Sequence, residues 1–304
     1  MRPSRKVLWS IAVVVCLILA AGIGFYERPL TVFNRWLYVQ MKFTGARSHW
    51  TTVNGIHIHY YEQGSASAPP VVLVHGLGGH AEDWRNLRPW ILTANRHLYM
   101  LDLPGYGQSD WPRNFSYSIP DEAGVVIGFM DALGLKQVDL GGWSMGGWIV
   151  QRVAFDHPDR IKSLMLFDSA GLYDKPQWNT DLFMPTSAQE LDQLDALLMP
   201  HPPAVPGFIA RDIVRYSHEH SWVIRRALAT MLTGNDTTDK ELPLLKMPVL
   251  IVWGSEDRII PAADGEKMHQ LVPQSEFDLI QGCGHLAPVQ CAEAAGPKVS
   301  QFLK

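Results

Sequence analysis

The segment GGWSMGG, residues 141–147, contains one serine, Ser144, among four glycines. It follows a short apolar run at residues 138–140 and precedes an apolar, helix-like run at residues 148–155. A strand that enters a helix through so short a turn has a strained backbone, and glycines remove the side chains that would collide there. The turn would hold the Ser144 hydroxyl at a helix N-terminus, where negative charge is favoured. The G-x-S-x-G pattern therefore predicts a nucleophile, although a helix cap is the other role open to this serine.

Two residues further along the chain could activate that hydroxyl. Asp257 follows the apolar run at residues 249–253, and His285 lies in the segment GCGH at residues 282–285. A nucleophilic serine requires a histidine to accept its proton and a carboxylate to hold that histidine in the correct tautomer. The order Ser, acid, His fits a site at the carboxyl edge of a parallel sheet. Ser144, Asp257 and His285 are therefore the predicted catalytic triad.

Other carboxylates compete for the acid position. Asp168 follows the apolar run at residues 164–167 and would reach the same sheet edge, and Glu256 directly precedes Asp257. By position, Asp168 is the stronger of these two alternatives.

A glycine-rich loop upstream supplies candidates for stabilising an oxyanion. The segment HGLGG, residues 75–79, follows the apolar run at residues 71–74. A tetrahedral intermediate needs two N–H donors, one from the residue after the serine and one from a loop of this kind. Leu77 and Met145 are therefore the predicted oxyanion-hole residues.

The same loop also matches a dinucleotide-binding pattern. Gly76, Gly78 and Ala81 fit G-x-G-x-x-A, and Asp102 follows at about the ~20-residue offset expected of a ribose ligand. A predicted hairpin precedes the strand, however, and this alternative leaves the Ser-Asp-His order unexplained. We therefore expect the protein to need no cofactor.

The chain around these residues alternates between strand-like and helix-like segments. Residues 51–61 predict a hairpin that turns at Asn54 and Gly55. After it come short apolar runs of the kind that a parallel sheet buries on both faces, at residues 71–74, 98–101, 138–140, 164–167 and 249–253. The predicted fold class is α/β, with a mostly parallel central sheet flanked by helices over residues 51–171 and 243–304.

Residues 172–242 interrupt this alternation. The interval contains several prolines and apolar residues at helical spacing, without a clear buried strand. We predict a helical lid inserted into the core, with some of its apolar residues lining an acyl pocket.

The N-terminus departs from the pattern of a globular domain. Residues 7–25 are nineteen residues without charge, preceded by Arg2, Arg5 and Lys6. This length is sufficient to span a bilayer, and basic residues before the span favour an extracytoplasmic catalytic domain. Residues 1–28 are therefore predicted to be a single-pass membrane anchor, with a cleaved signal peptide as the alternative.

Residues 29–50 are predicted to form an amphipathic linker. Phe33, Trp36, Leu37 and Met41 recur at helical spacing with basic residues between them. Such a helix either lies at the membrane interface or packs on the main domain, and the pattern fits both.

Composition excludes several classes of protein. With 304 residues, 47% of them hydrophobic and 18% charged, the chain can bury a large core, which excludes a disordered or fibrous protein. The net charge of −4 is spread without long runs of one sign, so we expect no nucleic-acid partner. The pairs His57/His59 and His218/His220 lack a third ligand at metal-binding spacing, so we expect no metal site.

The cysteines are too few for a disulfide framework. Cys16 lies within the apolar N-terminal run, and Cys283 and Cys291 are the other two. Cys283 and Cys291 could pair in an extracytoplasmic domain, but we predict free thiols.

Five segments together resemble the α/β-hydrolase superfamily: HG at 75–76, DLPGYGQS at 102–109, GWSMGG at 142–147, WGSED at 253–257 and GCGH at 282–285. The resemblance covers residues 51–304. With the apolar N-terminus, the basic and aromatic linker, and a lid entered through residues 169–173, the chain is most similar to membrane-anchored monoacylglycerol lipases and related bacterial lipases and esterases. Superfamily members that open epoxides or remove halogens carry aspartate in place of Ser144, which argues against those activities.

The resemblance implies a serine carboxylic ester hydrolase that forms an acyl-enzyme on Ser144. The implied substrate is a small lipid ester, and the implied location is a membrane. The same triad also serves carbon–carbon bond hydrolases, peptidases and acyltransferases, and a noncatalytic ligand-binding module is a further alternative.

Overall fold

The computed structural model describes residues 5–172 and 175–304 of the protein. Arg2, from the predicted basic cluster, and Tyr173, at the entrance to the predicted lid, lie outside the described residues. The strands are β1 Arg47–Val53, β2 Ile56–Gln63, β3 Pro70–Val74, β4 His97–Leu101, β5 Val138–Trp143, β6 Ile161–Phe167, β7 Val249–Gly254 and β8 Glu276–Ile280. The α-helices are α1 Arg5–Glu27, α2 Pro29–Phe43, α3 Arg88–Thr93, α4 Ile119–Ala132, α5 Met145–Asp156, α6 Ala188–Leu198, α7 Gly207–Met231, α8 Ala262–Leu271, α9 Ala287–Gln290 and α10 Ala292–Phe302.

The strands form one sheet in the order β1-β2-β4-β3-β5-β6-β7-β8. β1 and β2 form the predicted hairpin at one edge, turning at Asn54 and Gly55, and β2 also pairs antiparallel with β4. The pairs from β4 through to β8 are parallel. Parallel strands need crossover connections, and these bring the carboxyl ends of β3, β5, β6 and β7 to one edge of the sheet. The predicted α/β class and mostly parallel sheet are confirmed.

Each face of the sheet is covered by helices. Along β3, Val72 and Val74 belong to the hydrophobic core that includes α4, α5 and α8, whereas Val71 and Leu73 belong to the core that includes α3 and α10. This division follows from the period of two in a strand, because successive side chains point to opposite faces. The inner strands β3 to β7 are therefore buried on both faces, which explains the continuous apolar runs in the sequence.

The segment between β6 and β7 contains the two helices α6 and α7 and contributes no strand within its described residues. α7 is 25 residues long and extends across the carboxyl edge of the sheet to meet the N-terminal helices. Phe208, in its first turn, stacks on Tyr26 at 5.3 Å between ring centroids. Near the same junction, the Leu30 amide donates to the buried carboxylate of Asp212 at 2.9 Å.

α1 is the one described helix that is long and apolar enough to cross a membrane. The apolar window Trp9–Glu27 has a mean hydropathy of 2.3, and none of its residues is buried. A membrane anchor and a signal sequence both have this character.

α2 divides its residues between two environments. Leu37 and Met41 are each 1% exposed and pack on the domain, whereas Phe33 and Trp36 are about half exposed. The two interpretations of the amphipathic pattern therefore each fit some of its residues: Leu37 and Met41 pack on the domain, and Phe33 and Trp36 remain exposed.

Candidate active site

Ser144 occupies the turn between β5 and α5, with φ 56° and ψ −120°. The two flanking glycines are required there by close backbone contacts. A Cβ on Gly142 would lie 2.2 Å from the Gly146 carbonyl oxygen, and a Cβ on Gly146 would lie 2.3 Å from the Val74 carbonyl oxygen. The turn can therefore form only because both positions lack side chains, as the sequence pattern predicts.

The hydroxyl of Ser144 lies within hydrogen-bond distance of a histidine. His285 Nε2 is 2.8 Å from Ser144 Oγ, and His285 Nδ1 is 2.7 Å from Asp257 Oδ2. Because the carboxylate accepts a hydrogen bond from Nδ1–H, Nε2 is left to accept the proton of the hydroxyl. The structure thus brings Ser144, His285 and Asp257 together in one hydrogen-bonded chain, and this arrangement could activate the serine.

Asp257 is held by the loop that follows β7. Its second carboxylate oxygen accepts the backbone amides of Ile259 at 2.8 Å and Ile260 at 2.9 Å. These bonds fix the carboxylate in the orientation that faces His285.

The loop that carries His285 is closed by a disulfide between Cys283 and Cys291. The prediction of free thiols is therefore wrong. The loop from β8 into α9 reverses direction and returns Cys291 beside Cys283, with 6.3 Å between their Cα atoms. Spacing along the chain does not reveal this reversal.

Further hydrogen bonds fix the backbone of His285. Its amide donates to the Leu198 carbonyl oxygen at 2.9 Å, and its own carbonyl oxygen accepts the Trp143 indole N–H at 2.8 Å. α6 and the residue before the nucleophile therefore both hold the histidine in place.

Two opposing effects act on the pKa of His285. Burial lowers this pKa, but the charge of Asp257, the hydrogen bond to it and the charge of Asp168 together outweigh burial and raise it above its usual value. The site therefore stabilises the imidazolium that forms when the histidine accepts a proton.

Leu77 and Met145 flank the serine from two elements. Met145 is the first residue of α5, so its N–H has no acceptor within that helix. Leu77 lies in the loop after β3, whose shape depends on the buried His75: Nε2 accepts the Leu103 amide at 3.0 Å, and Nδ1 donates to the Gly76 carbonyl oxygen at 2.8 Å. Burial lowers the pKa of His75, which agrees with this neutral tautomer.

The competing acids occupy other positions. Asp168 is buried, and its carboxylate accepts the amides of Gly254 and Ala287, while Glu256 is exposed. Asp102, the candidate ribose ligand, is fully buried and accepts hydrogen bonds from His59 and from the amide of Ala81. These contacts leave Asp102 without access to a ligand.

A second chain of serine, histidine and aspartate lies at the β1–β2 edge. Ser48 Oγ is 2.9 Å from His59 Nε2, and His59 Nδ1 is 2.7 Å from Asp102 Oδ2. Ser48 lies within a strand rather than at a glycine turn before a helix. A hydrogen-bonded chain of serine, histidine and aspartate therefore does not identify a nucleophile by itself. Ser144 differs from Ser48 in its position at a glycine turn before a helix and in the cavities that it lines.

Two cavities meet at Ser144, and Leu77 and Phe183 line both of them. The larger has a volume of about 860 Å³ and extends between α2 and α7. The smaller, of about 390 Å³, extends towards α5 and α8. Sequence reasoning missed the part that α2 has in the site, because only the tertiary packing places Leu37 and Tyr38 in the cavity wall.

Among the described residues, no group of three or more His, Cys, Asp or Glu side chains could hold a metal ion. His57 pairs instead with Asp110 at 3.0 Å, and His59 with Asp102. His57 and His59 are thus each engaged with a single carboxylate, and His220 Nδ1 lies 2.8 Å from the Tyr216 carbonyl oxygen.

Comparisons with known proteins agree with this architecture. Residues 69–290 match the model of the family described as alpha/beta hydrolase fold. A solved membrane phospholipase A, described as a bacterial virulence factor, superposes with a TM-score of 0.82 at 28% identity, over 97% of each chain. Lipase 1 of Psychrobacter immobilis is 24% identical over 83% of this chain and 82% of its own. A dihydrolipoyllysine-residue acetyltransferase component of the acetoin cleaving system of Pseudomonas putida is 30% identical over 83% of this chain and 68% of its own.

The family match covers most of the chain, and the sheet order, the serine turn and the loops after β7 and β8 are all present in the structure. The relatives with described activities include lipases and other hydrolases of the same fold. The chain belongs to the α/β-hydrolase fold family and is a serine hydrolase.

Proposed function

We propose that the protein hydrolyses lipid esters at a membrane, as a monoacylglycerol lipase or a related lipid esterase. Ser144 is the nucleophile, His285 the general base and acid, and Asp257 the residue that orients it. The observation that carries the proposal is the hydrogen-bonded chain from Ser144 to Asp257 at the point where the two cavities meet.

The reaction begins with transfer of an acyl group to the serine. Ser144 Oγ attacks the ester carbonyl carbon as its proton moves to His285 Nε2, and Asp257 stabilises the imidazolium. The amides of Leu77 and Met145 stabilise the oxyanion. The imidazolium then gives its proton to the leaving alkoxide, which departs as the alcohol. Water, activated by His285, attacks the acyl-enzyme, and the carboxylic acid leaves as Ser144 regains its proton.

The walls of the cavities favour a substrate with long apolar parts. The larger cavity is lined in part by apolar side chains, among them Phe183, Leu194 and Ile224. Such walls bind hydrocarbon by excluding water, and a volume of about 860 Å³ is ample for an acyl chain. The alcohol part of the ester would bind separately, in the smaller cavity.

α2 supports attachment to a membrane surface. Its residues Leu37 and Tyr38 form part of the wall of the larger cavity, and its residues Phe33 and Trp36 are exposed beside them. Because α1 directly precedes α2, an anchored α1 would bring these exposed residues to the bilayer surface. A lipid in the bilayer would then lie one helix away from the catalytic cavity.

The disulfide supports an extracytoplasmic catalytic domain. Disulfides persist in oxidising compartments, and Cys283–Cys291 closes the loop of His285. The basic residues before the apolar run, among them Arg5 and Lys6, favour the same orientation. Extraction of the full chain by detergent but not by carbonate would support the anchor, and a mature N-terminus beyond residue 28 would show a cleaved signal sequence instead.

The test measures hydrolysis of monoacylglycerols and simple esters of increasing acyl length, together with labelling by a fluorophosphonate. We expect rates to rise with acyl length, and Ser144→Ala to abolish both turnover and labelling. Ser48→Ala is the matched control, because it breaks the second serine–histidine–aspartate chain, and it should retain both. Turnover that survives in Ser144→Ala would refute the proposal.

Acyl transfer to an acceptor other than water is the second candidate. It is favoured by the 30% identity to the acetyltransferase component. Product analysis in the presence of added alcohols or thiols would separate it from hydrolysis, since transfer would give a new ester or thioester in place of the free acid.

A further inference from the structure

Asp168 joins two of the loops that form the site. It follows β6 directly, its side chain is fully buried, and its backbone has φ 42°. One carboxylate oxygen accepts the Gly254 amide at 2.8 Å, and the other accepts the Ala287 amide at 2.9 Å. Gly254 ends the strand before Asp257, and Ala287 lies two residues after His285. One carboxylate thus connects the loop of the acid with the loop of the histidine.

The backbone on either side of Asp168 holds the nucleophile. The Ser144 amide donates to the Phe167 carbonyl oxygen at 3.0 Å, and the Ala170 amide donates to the Ser144 carbonyl oxygen, also at 3.0 Å. The segment 167–170 therefore contacts all three elements that carry the proposed catalytic residues.

We propose that Asp168 is a positioning residue that sets the distance and angle between His285 and its two partners. The inference rests on the catalytic roles proposed above. Asp168 does not replace Asp257, because His285 Nδ1 donates to Asp257 and both oxygens of Asp168 accept backbone amides. It acts through the loops that it connects. Buried amides left without an acceptor would draw these loops into other arrangements.

Asp168 also contributes charge to the site. Burial and the nearby Asp257 raise the pKa of Asp168 to about 7. Burial lowers the pKa of His285, and the charges of Asp257 and Asp168 raise it. Removal of the Asp168 charge should therefore make His285 easier to deprotonate, an effect that a role in folding alone would not produce.

The test compares Asp168→Asn with Asp168→Ser in the full-length protein, with a short soluble ester as substrate. Asparagine has the size of aspartate and keeps one acceptor oxygen. Serine is too short for its hydroxyl to reach the amides of Gly254 and Ala287. We expect kcat to fall about 10-fold or more in Asp168→Asn and further in Asp168→Ser, with KM changed little. We expect the acid limb of the pH profile of kcat/KM to move to lower pH in Asp168→Asn, because the charge of Asp168 raises the pKa of His285.

Asp139→Asn is the matched control. Asp139 is also buried and accepts a hydrogen bond, from Ser163 Oγ, but it lies at the opposite end of β5 from Ser144. The Asp139→Asn variant should be less stable than the wild type, but it should keep the wild-type kcat and the wild-type acid limb of the pH profile of kcat/KM.

Three results would overturn the inference: a wild-type kcat and acid limb in Asp168→Asn, effects equal to those of Asp139→Asn, or failure of both Asp168 variants to fold while Asp139→Asn folds. The last would make Asp168 a residue of the fold alone. Turnover that survives in Ser144→Ala would instead refute the proposed function, so the two failures are distinguishable.

Discussion

The backbone conformation of Ser144 should destabilise the fold, and substitutions at this position can measure that cost. Its φ of 56° and ψ of −120° lie in a region that residues other than glycine rarely adopt. We expect Ser144→Gly to be more stable than Ser144→Ala. Both variants lose the hydroxyl and its hydrogen bond to His285, so the difference between them isolates the backbone.

The magnitude follows from two opposing effects. A residue other than glycine in a sparsely populated region of φ and ψ costs about 1–3 kcal/mol of folding free energy. Glycine removes that cost but gains freedom in the unfolded chain, which lowers stability by about 0.4–1 kcal/mol. The net advantage of Ser144→Gly should be about 1 kcal/mol, which corresponds to a rise in Tm of roughly 2–4 °C.

The assay is thermal unfolding of both variants in the same detergent, followed by circular dichroism. Asn54, at the exposed hairpin turn with φ 51°, offers a matched pair, Asn54→Gly and Asn54→Ala, for which the same order is expected without any loss of activity. If Ser144→Gly unfolds at or below the temperature of Ser144→Ala, the backbone of Ser144 does not destabilise the fold.

Two further predictions concern the membrane face and the pH profile. The double variant Phe33→Ser/Trp36→Ser should hydrolyse a lipid in vesicles at least several-fold more slowly than the wild type and a short soluble ester at the same rate. Leu244→Ser is the control, because Leu244 is 65% exposed but lies outside α2, and it should change neither rate. Equal losses on both substrates would count against a membrane role for α2. Asp257→Asn should lower kcat by about 10³–10⁴-fold and move the acid limb of kcat/KM to lower pH, because His285 must be neutral to act and Asp257 raises its pKa. An unshifted acid limb in the residual activity would contradict that electrostatic role.

The parts of the fold that local patterns control could be predicted from the sequence. The apolar runs gave the parallel strands, because strands buried on both faces leave little choice of residue. The glycines around Ser144 gave the strand-to-helix turn, since a Cβ at either flanking glycine would collide with backbone. The positions of Asp257 and His285 after strand-like runs placed them at one sheet edge, where they meet Ser144.

The features that depend on the path of a loop or on distant parts of the chain could not be predicted. The pairing of Cys283 with Cys291 depends on the path of the loop after β8. The cavity wall formed by α2 depends on how an N-terminal helix docks beside α7. The connecting role of Asp168 is set by the amides of Gly254 and Ala287, which lie 86 and 119 residues further along the chain.

The junction between α1 and α2 separates two kinds of N-terminal helix, and it indicates where a water-soluble fragment could begin. None of the α1 residues from Trp9 to Glu27 is buried, whereas Leu37 and Met41 of α2 belong to the packed domain. Excision up to residue 28 would remove the exposed apolar surface of α1 and the contact of Tyr26 with Phe208, but it would keep every residue that lines the catalytic cavity. Excision beyond α2 would remove one wall of that cavity. The shorter deletion is therefore the one suited to crystallisation with a bound ester analogue.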